Sequence, residues 1–124
     1  MVYDDKTVVQ AIILLLKENG VDAYPPATKE GICLKEYVVV KNAGSSQIGT
    51  LSSEVHYTDV MCYVPKNKYT NLEGFKNHVK EIIHNNLYPR VMETGSETQD
   101  YFDEDIKGHM ISFMLMNNVR NKYI

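Results

Sequence analysis

The chain has 124 residues, with 13 basic and 16 acidic side chains giving a net charge of −3, 44% hydrophobic residues and 23% charged ones. That length fits one domain, 1–124, with a real hydrophobic core and no need of metal or disulfide staples. The mild acidity and the scattered Lys and Arg residues argue against direct nucleic-acid binding and against an anionic membrane surface. Two cysteines, Cys33 and Cys62, are too few for a disulfide framework and form no CxxC pair, so they read as buried thiols. Asp4 and Asp5 stand where a secretory leader would be basic. The apolar run Ala11–Leu16 is far shorter than the ~20 residues a membrane span needs. The expected location is therefore the cytoplasm of the cell that makes the chain, or an assembly that forms there.

In chain order, Asp4 or Asp5 is placed to cap a helix that Gly20 stops near Asn19. Val8, Val9, Ala11, Ile12, Leu15 and Leu16 give it a broad apolar stripe. Tyr24-Pro25-Pro26-Ala27 lacks two backbone donors and reads as a stiff extended link. Ile32 to Lys41 reads as a strand, rich in β-formers at Tyr37-Val38-Val39-Val40. Asn42 to Thr50 is small, polar and glycine-bearing, which suits a flexible hairpin loop. Ser53 to Val64 reads as a long strand ended by Pro65. It carries Val55, Tyr57, Asp59, Met61 and Tyr63 on one face, and His56, Thr58, Val60, Cys62 and Val64 on the other. The second face starts polar and ends apolar, so the strand is expected to project beyond the core at its Ser53 end.

Lys66 to Thr70 reads as a turn, and Asn71 as the cap of a second helix with Glu73 in its first turn. Leu72, Phe75, Val79, Ile82, Ile83 and Leu87 keep a helical period up to Pro89. Arg90 to Gly95 reads as a link, Glu97 to Phe102 as a strand, Asp103 to Gly108 as a turn, and His109 to Asn117 as the last strand. The expected fold is α+β: a mostly antiparallel sheet with two main helices packed on it, in the order α-β-β-α-β-β.

Catalytic signatures are weak. Asp103 and Asp105 have the alternate spacing of calcium-loop ligands, but no glycine or distal Glu completes that pattern, and one His is too few for zinc. A solvated hairpin tip is the simpler reading. Asp105-Ile106-Lys107 with Asp100 resembles part of a metal-dependent nuclease motif, yet Gly108 puts the triplet in a turn. No two of His56, His78, His84 and His109 have the spacing of a helical zinc pair. No catalytic, cofactor-binding or metal-binding residues are assigned, and the chain is not expected to be an enzyme. Tyr57, Met61 and Tyr63 on the long strand, with Met110, Met114 and Met116 on the last one, are either core or a surface on which copies of the chain meet.

The layout as a whole resembles the tail terminator, or tail-to-head joining, proteins of long-tailed bacteriophages, the lambda-like group. The features that carry the resemblance are a first helix over Thr7–Asn19, a long strand ending in Tyr63-Val64-Pro65, a second helix ending at Leu87-Tyr88-Pro89, and the acidic run Tyr101-Phe102-Asp103-Glu104-Asp105 before the last strand. The resemblance implies a homo-oligomeric ring, expected to be a hexamer. Such a ring caps the finished tail tube, halts its growth and presents the surface that the head or neck connector binds. A head-completion or neck protein of the same kind of virion is the nearest alternative. The resemblance also implies a contact surface in the loop and the acidic turn. On this chain those positions include Asn42, Gly44, Ser45, Ser46, Gln47, Ile48 and Gly49, then Asp103, Glu104, Asp105 and Lys107. Tyr57, from the long-strand face that is either core or a surface where copies meet, joins them as a candidate interface residue.

Overall fold

The computed structural model describes residues 7–47 and 53–120. The chain is α+β. Helices α1 (Val8–Glu18) and α2 (Leu72–Leu87) cover one face of an open six-stranded sheet. The strands are β1 (Ala23–Tyr24), β2 (Tyr37–Gln47), β3 (Ser53–Pro65), β4 (Met92–Glu97), β5 (Tyr101–Asp103) and β6 (Gly108–Arg120). The order across the sheet is β1-β2-β3-β6-β4, and β5 also pairs with β6. All pairings are antiparallel except β1 with β2.

The frame is the β3–β6 ladder. It runs without a break from Ser53 opposite Arg120 to Pro65 opposite Gly108. At ~3.4 Å per residue that is about 40 Å. Period-two patterning then sorts the side chains. Val38, Val40, Val60, Cys62, Val64, Ile111, Phe113 and Leu115 point to the helices and form the buried core with Ile12, Leu15, Leu16, Val79, Ile83 and Leu87. The last strand thus sits in the middle of the sheet, and the core is complete only when it docks.

Helix α1 is capped by Thr7 rather than by Asp4 or Asp5, which lie outside the described residues. Thr7 Oγ1 accepts from the Gln10 amide, and Gln10 Oε1 accepts from the Thr7 amide, both at 3.2 Å. This reciprocal box needs Gln at the third helical position, and only Thr7 has it. Gly20, at φ +80°, turns the chain away at the other end as expected. Asn71 precedes α2 but makes no capping hydrogen bond, because the 3-10 turn Lys66–Asn71 feeds directly into the helix.

Several expectations about strands change. The second strand starts at Tyr37, not Ile32. The Cys33 amide donates instead to the Ile106 carbonyl at 2.7 Å, so residues 32–36 cross the end of the sheet and leave Ile32 and Leu34 exposed. Asn42 to Gln47 is strand rather than loop. It pairs with β3 across a bulge between Asn42 and Ser45, where Gly44 takes φ +98°. Ile48 to Thr50 lie outside the described residues. Most of the expected link Arg90–Gly95 is β4, and the expected strand Glu97–Phe102 is divided between β4 and β5 with Thr98–Asp100 between them. Tyr24, read as part of a link, belongs to the two-residue strand β1.

Gly108 is fixed by close approach. A Cβ there would stand 2.8 Å from Cys33 Cβ and 3.1 Å from the Val64 carbonyl oxygen. Gly108→Ala is expected to lower stability by about 2 kcal/mol, as overpacking does, measurable by urea unfolding.

Candidate functional site: an uncovered sheet face and two polar ends

The face of the sheet away from the helices carries the residues that the sequence groups as a Tyr/Met surface. Tyr57 pairs with Met116, Asp59 with Met114, Met61 with Ser112, and Tyr63 with Met110. Met110 is buried, whereas Val39, Tyr57, Met61, Tyr63, Met114 and Met116 are half-buried. No helix of the described chain lies over them. At one end of this face Tyr37 stacks on Tyr63, with ring centroids 4.8 Å apart, and meets the edge of Tyr24 at 6.0 Å. Burial pushes the Tyr63 phenol up to about 12 and raises that of Tyr37 too. These phenols stay neutral near physiological pH, so the surface is apolar with hydroxyl tips, the kind of surface at which Tyr and Met are enriched in protein contacts.

The other anticipated positions fall at opposite ends of the β3–β6 ladder. Asn42, Gly44, Ser45 and Ser46 are in the outer half of β2, all solvent-exposed, and Gln47 is its last residue. Asn42 Oδ1 accepts from the Gly44 amide at 2.7 Å, which holds the bulge, and Ser46 Oγ lies 3.2 Å from the Tyr57 hydroxyl. Ile48 and Gly49 lie outside the described residues. At the far end, Asp103 closes β5, and its Oδ1 accepts from the Asp105 amide at 2.9 Å. Lys107 takes φ +54° and reaches Glu104 at 3.4 Å. The tip therefore holds a defined turn while keeping Glu104 and Asp105 in solvent. The two groups cannot make one patch, because Asn42 lies opposite Thr58 and Gln47 opposite Glu54 while Asp103 lies level with Pro65, so about 25–35 Å of strand separates them.

Asp100 and Asp105 flank β5 at its two ends. Asp100 accepts a hydrogen bond from the Tyr69 hydroxyl. His109 lies between the Tyr69 and Phe102 rings, with Nε2 3.1 Å from the Lys66 carbonyl oxygen. Among the described residues no three His, Cys, Asp or Glu side chains converge in a way that could hold a metal ion. Cys33 and Cys62 are both buried and free, and burial pushes the Cys62 thiol up to about 12.

One cluster was missed by the sequence reading. Lys76 is almost fully buried, yet its Nζ lies 2.7 Å from Glu73 and 2.8 Å from Glu97. Lys80 bonds Glu97 as well, reaches Glu93 at 3.0 Å, and sits 5.3 Å over the Phe113 ring. Burial works against the charge on both lysines, but the carboxylate hydrogen bonds outweigh it and hold their pKa values above the ordinary range. Hydrogen bonds from Lys76 and then Lys80 hold Glu97 below its ordinary 4.5. The network ties β4 to α2. Its signal in the sequence was the four-residue spacing of both Lys76/Lys80 and Glu93/Glu97.

No family model matches the chain, and no curated protein matches it. A solved structure does. The match is a chain from the virion of a native gene transfer agent particle. It covers 94% of this chain and 87% of that one, with a TM-score of 0.51 and 14% identity. The two share a fold. The likeness extends over nearly the whole chain rather than one motif. No helix of the described residues is long and apolar enough to cross a membrane.

Proposed function

We propose that this chain is a structural protein of a phage-like particle. On this reading its copies join through the uncovered Tyr/Met face into a ring, in the manner of a tail terminator, which caps the tail tube and presents the head-joining surface. The observation that carries the reading is the shared fold over nearly the full length of a virion chain. The half-buried Tyr57, Met61, Tyr63, Met114 and Met116 support self-association as the task, since one layer of helices leaves this face for something else to cover. A ring requires a heterologous contact whose rotation closes. No nucleophile or cofactor takes part in such a role.

The test is assembly with purified tail tubes, viewed by electron microscopy. Tubes polymerised with the chain present should be shorter and carry an added ring at one end. Tubes of unchanged length with bare ends, together with binding of the chain to head connectors alone, would assign it to the neck instead.

A further inference from the structure

The sequence has six methionines, and every one among the described residues lies on the uncovered face of the sheet. The register places Met61 of β3 on the same face as Met110, Met114 and Met116 of β6, and β4 adds Met92 directly opposite Met116. None belongs to the helix-facing core. Met110 is buried, whereas Met61, Met92, Met114 and Met116 are half-buried and meet solvent in the free chain. Met61 Sδ accepts from the Tyr63 hydroxyl at 4.0 Å. The cysteines are placed the opposite way. Sulfur oxidation ordinarily begins at exposed thiolates. Cys62 is sealed in the core, where burial pushes its thiol up to about 12, and Cys33 is buried with its thiol raised by the same cause. Both therefore stay neutral thiols out of solvent, which leaves the thioethers as the accessible sulfur.

We propose that this face is a reversible oxidation site, at which a peroxide converts Met61, Met92, Met114 and Met116 to sulfoxides and so releases copies of the chain from one another. In each step a sulfur lone pair attacks one peroxide oxygen. The O–O bond breaks and an S–O bond forms. The departing hydroxide takes up the proton that the transferred oxygen sheds and leaves as water. Sulfur loses two electrons and the peroxide gains them. The product is a polar acceptor on a face that is otherwise apolar below its hydroxyl tips. In the free chain, water and the Tyr63 hydroxyl beside Met61 pair with the new oxygens. Between two apolar strand faces the same oxygens are buried without partners, which is unfavourable. The fold is spared, because the helix-facing core holds no methionine. Two thiols reverse the change, becoming a disulfide as the oxygen leaves in water. This inference rests on the self-association through the sheet face proposed above and adds how that association is switched off.

The experiment treats the unaltered full chain with hydrogen peroxide and locates the added oxygens by peptide mass. They should appear first at the four half-buried methionines and last at Met110. Light scattering should then show smaller assemblies, with association weakened by about tenfold or more. The urea midpoint should stay nearly unchanged, and methionine sulfoxide reductase with a thiol should restore the assemblies. Concentrated, assembled protein should react more slowly than dilute protein. A second sample carries Met61→Leu, Met92→Leu, Met114→Leu and Met116→Leu, which keep the face apolar without its sulfur. It should assemble like the unaltered chain and ignore peroxide. An oxidised chain that assembles as before, or a leucine variant dispersed by peroxide to the same extent, would overturn this inference and leave the sheet-face reading standing. Loss of the urea transition together with the assemblies would overturn it too, since the thioethers would then be holding the fold. A single-chain mass before any peroxide is added would overturn both this inference and the self-association beneath it.

Discussion

Replacing Met61 and Met114 together by lysine is expected to leave a folded chain that no longer self-associates. Both side chains are half-buried on the face no helix covers. Met114 stands directly opposite Asp59, so a lysine there gains a cross-strand partner and the sheet is not strained. In an assembly the same two charges would have to leave water, at a cost on the order of several kcal/mol per ion. About 3 kcal/mol is enough for a hundredfold loss of affinity. Analytical ultracentrifugation across concentration, beside a urea melt on the same samples, separates the two effects. Normal unfolding with loss of the large species is the expected outcome. Unaltered assembly would mean that this face is not the contact.

The second large effect is on stability. Glu97→Ala should lower the free energy of unfolding by about 2 kcal/mol, in the range for hydrogen bonds to charged groups. Glu97 is the carboxylate that Lys76 and Lys80 share, and Lys76 has a side chain only 5% exposed. After the exchange, Lys76 keeps only Glu73, whose side chain is 67% exposed. The same network sets a pH dependence. The folded carboxylate binds a proton less readily than the unfolded one, because its pKa lies below 4.5 when folded. Its contribution is therefore fully present above about pH 4.5 and is lost as pH falls through the lowered value. Urea melts between pH 7 and pH 3 should show this loss in the unaltered protein and a shallower acid decline in Glu97→Gln.

The long elements were legible because each carries its own period. The helical stripe over Val8–Leu16, the spacing from Leu72 to Leu87, and the alternation in Ser53–Val64 each state which face is buried. Alternation also grouped Tyr57, Met61 and Tyr63 with Met110, Met114 and Met116, and the β3–β6 register places them on one face. What escaped was structure imposed by a neighbour. Met92–Glu97 has no apolar alternation, since β4 is held by β6 on one side and by lysines of α2 on its helix-facing side. Asn42–Gln47 has the composition of a loop, and only pairing with β3 keeps it extended. Tyr24 is a strand residue only because β2 runs beside it.

The same limit governs the site. Asn42–Gln47 and Asp103–Lys107 were read as one set of contact residues, but their separation along the sheet follows from a register no local pattern contains.

The central claim is that copies of this chain bind one another as their function. Its most direct test is the absolute mass of the purified, unaltered protein by light scattering, from micromolar to near-millimolar concentration, alone and with tail tube. The account predicts a closed species at a fixed multiple of the chain mass, six on the ring proposed here. A single-chain mass under every one of these conditions would contradict it.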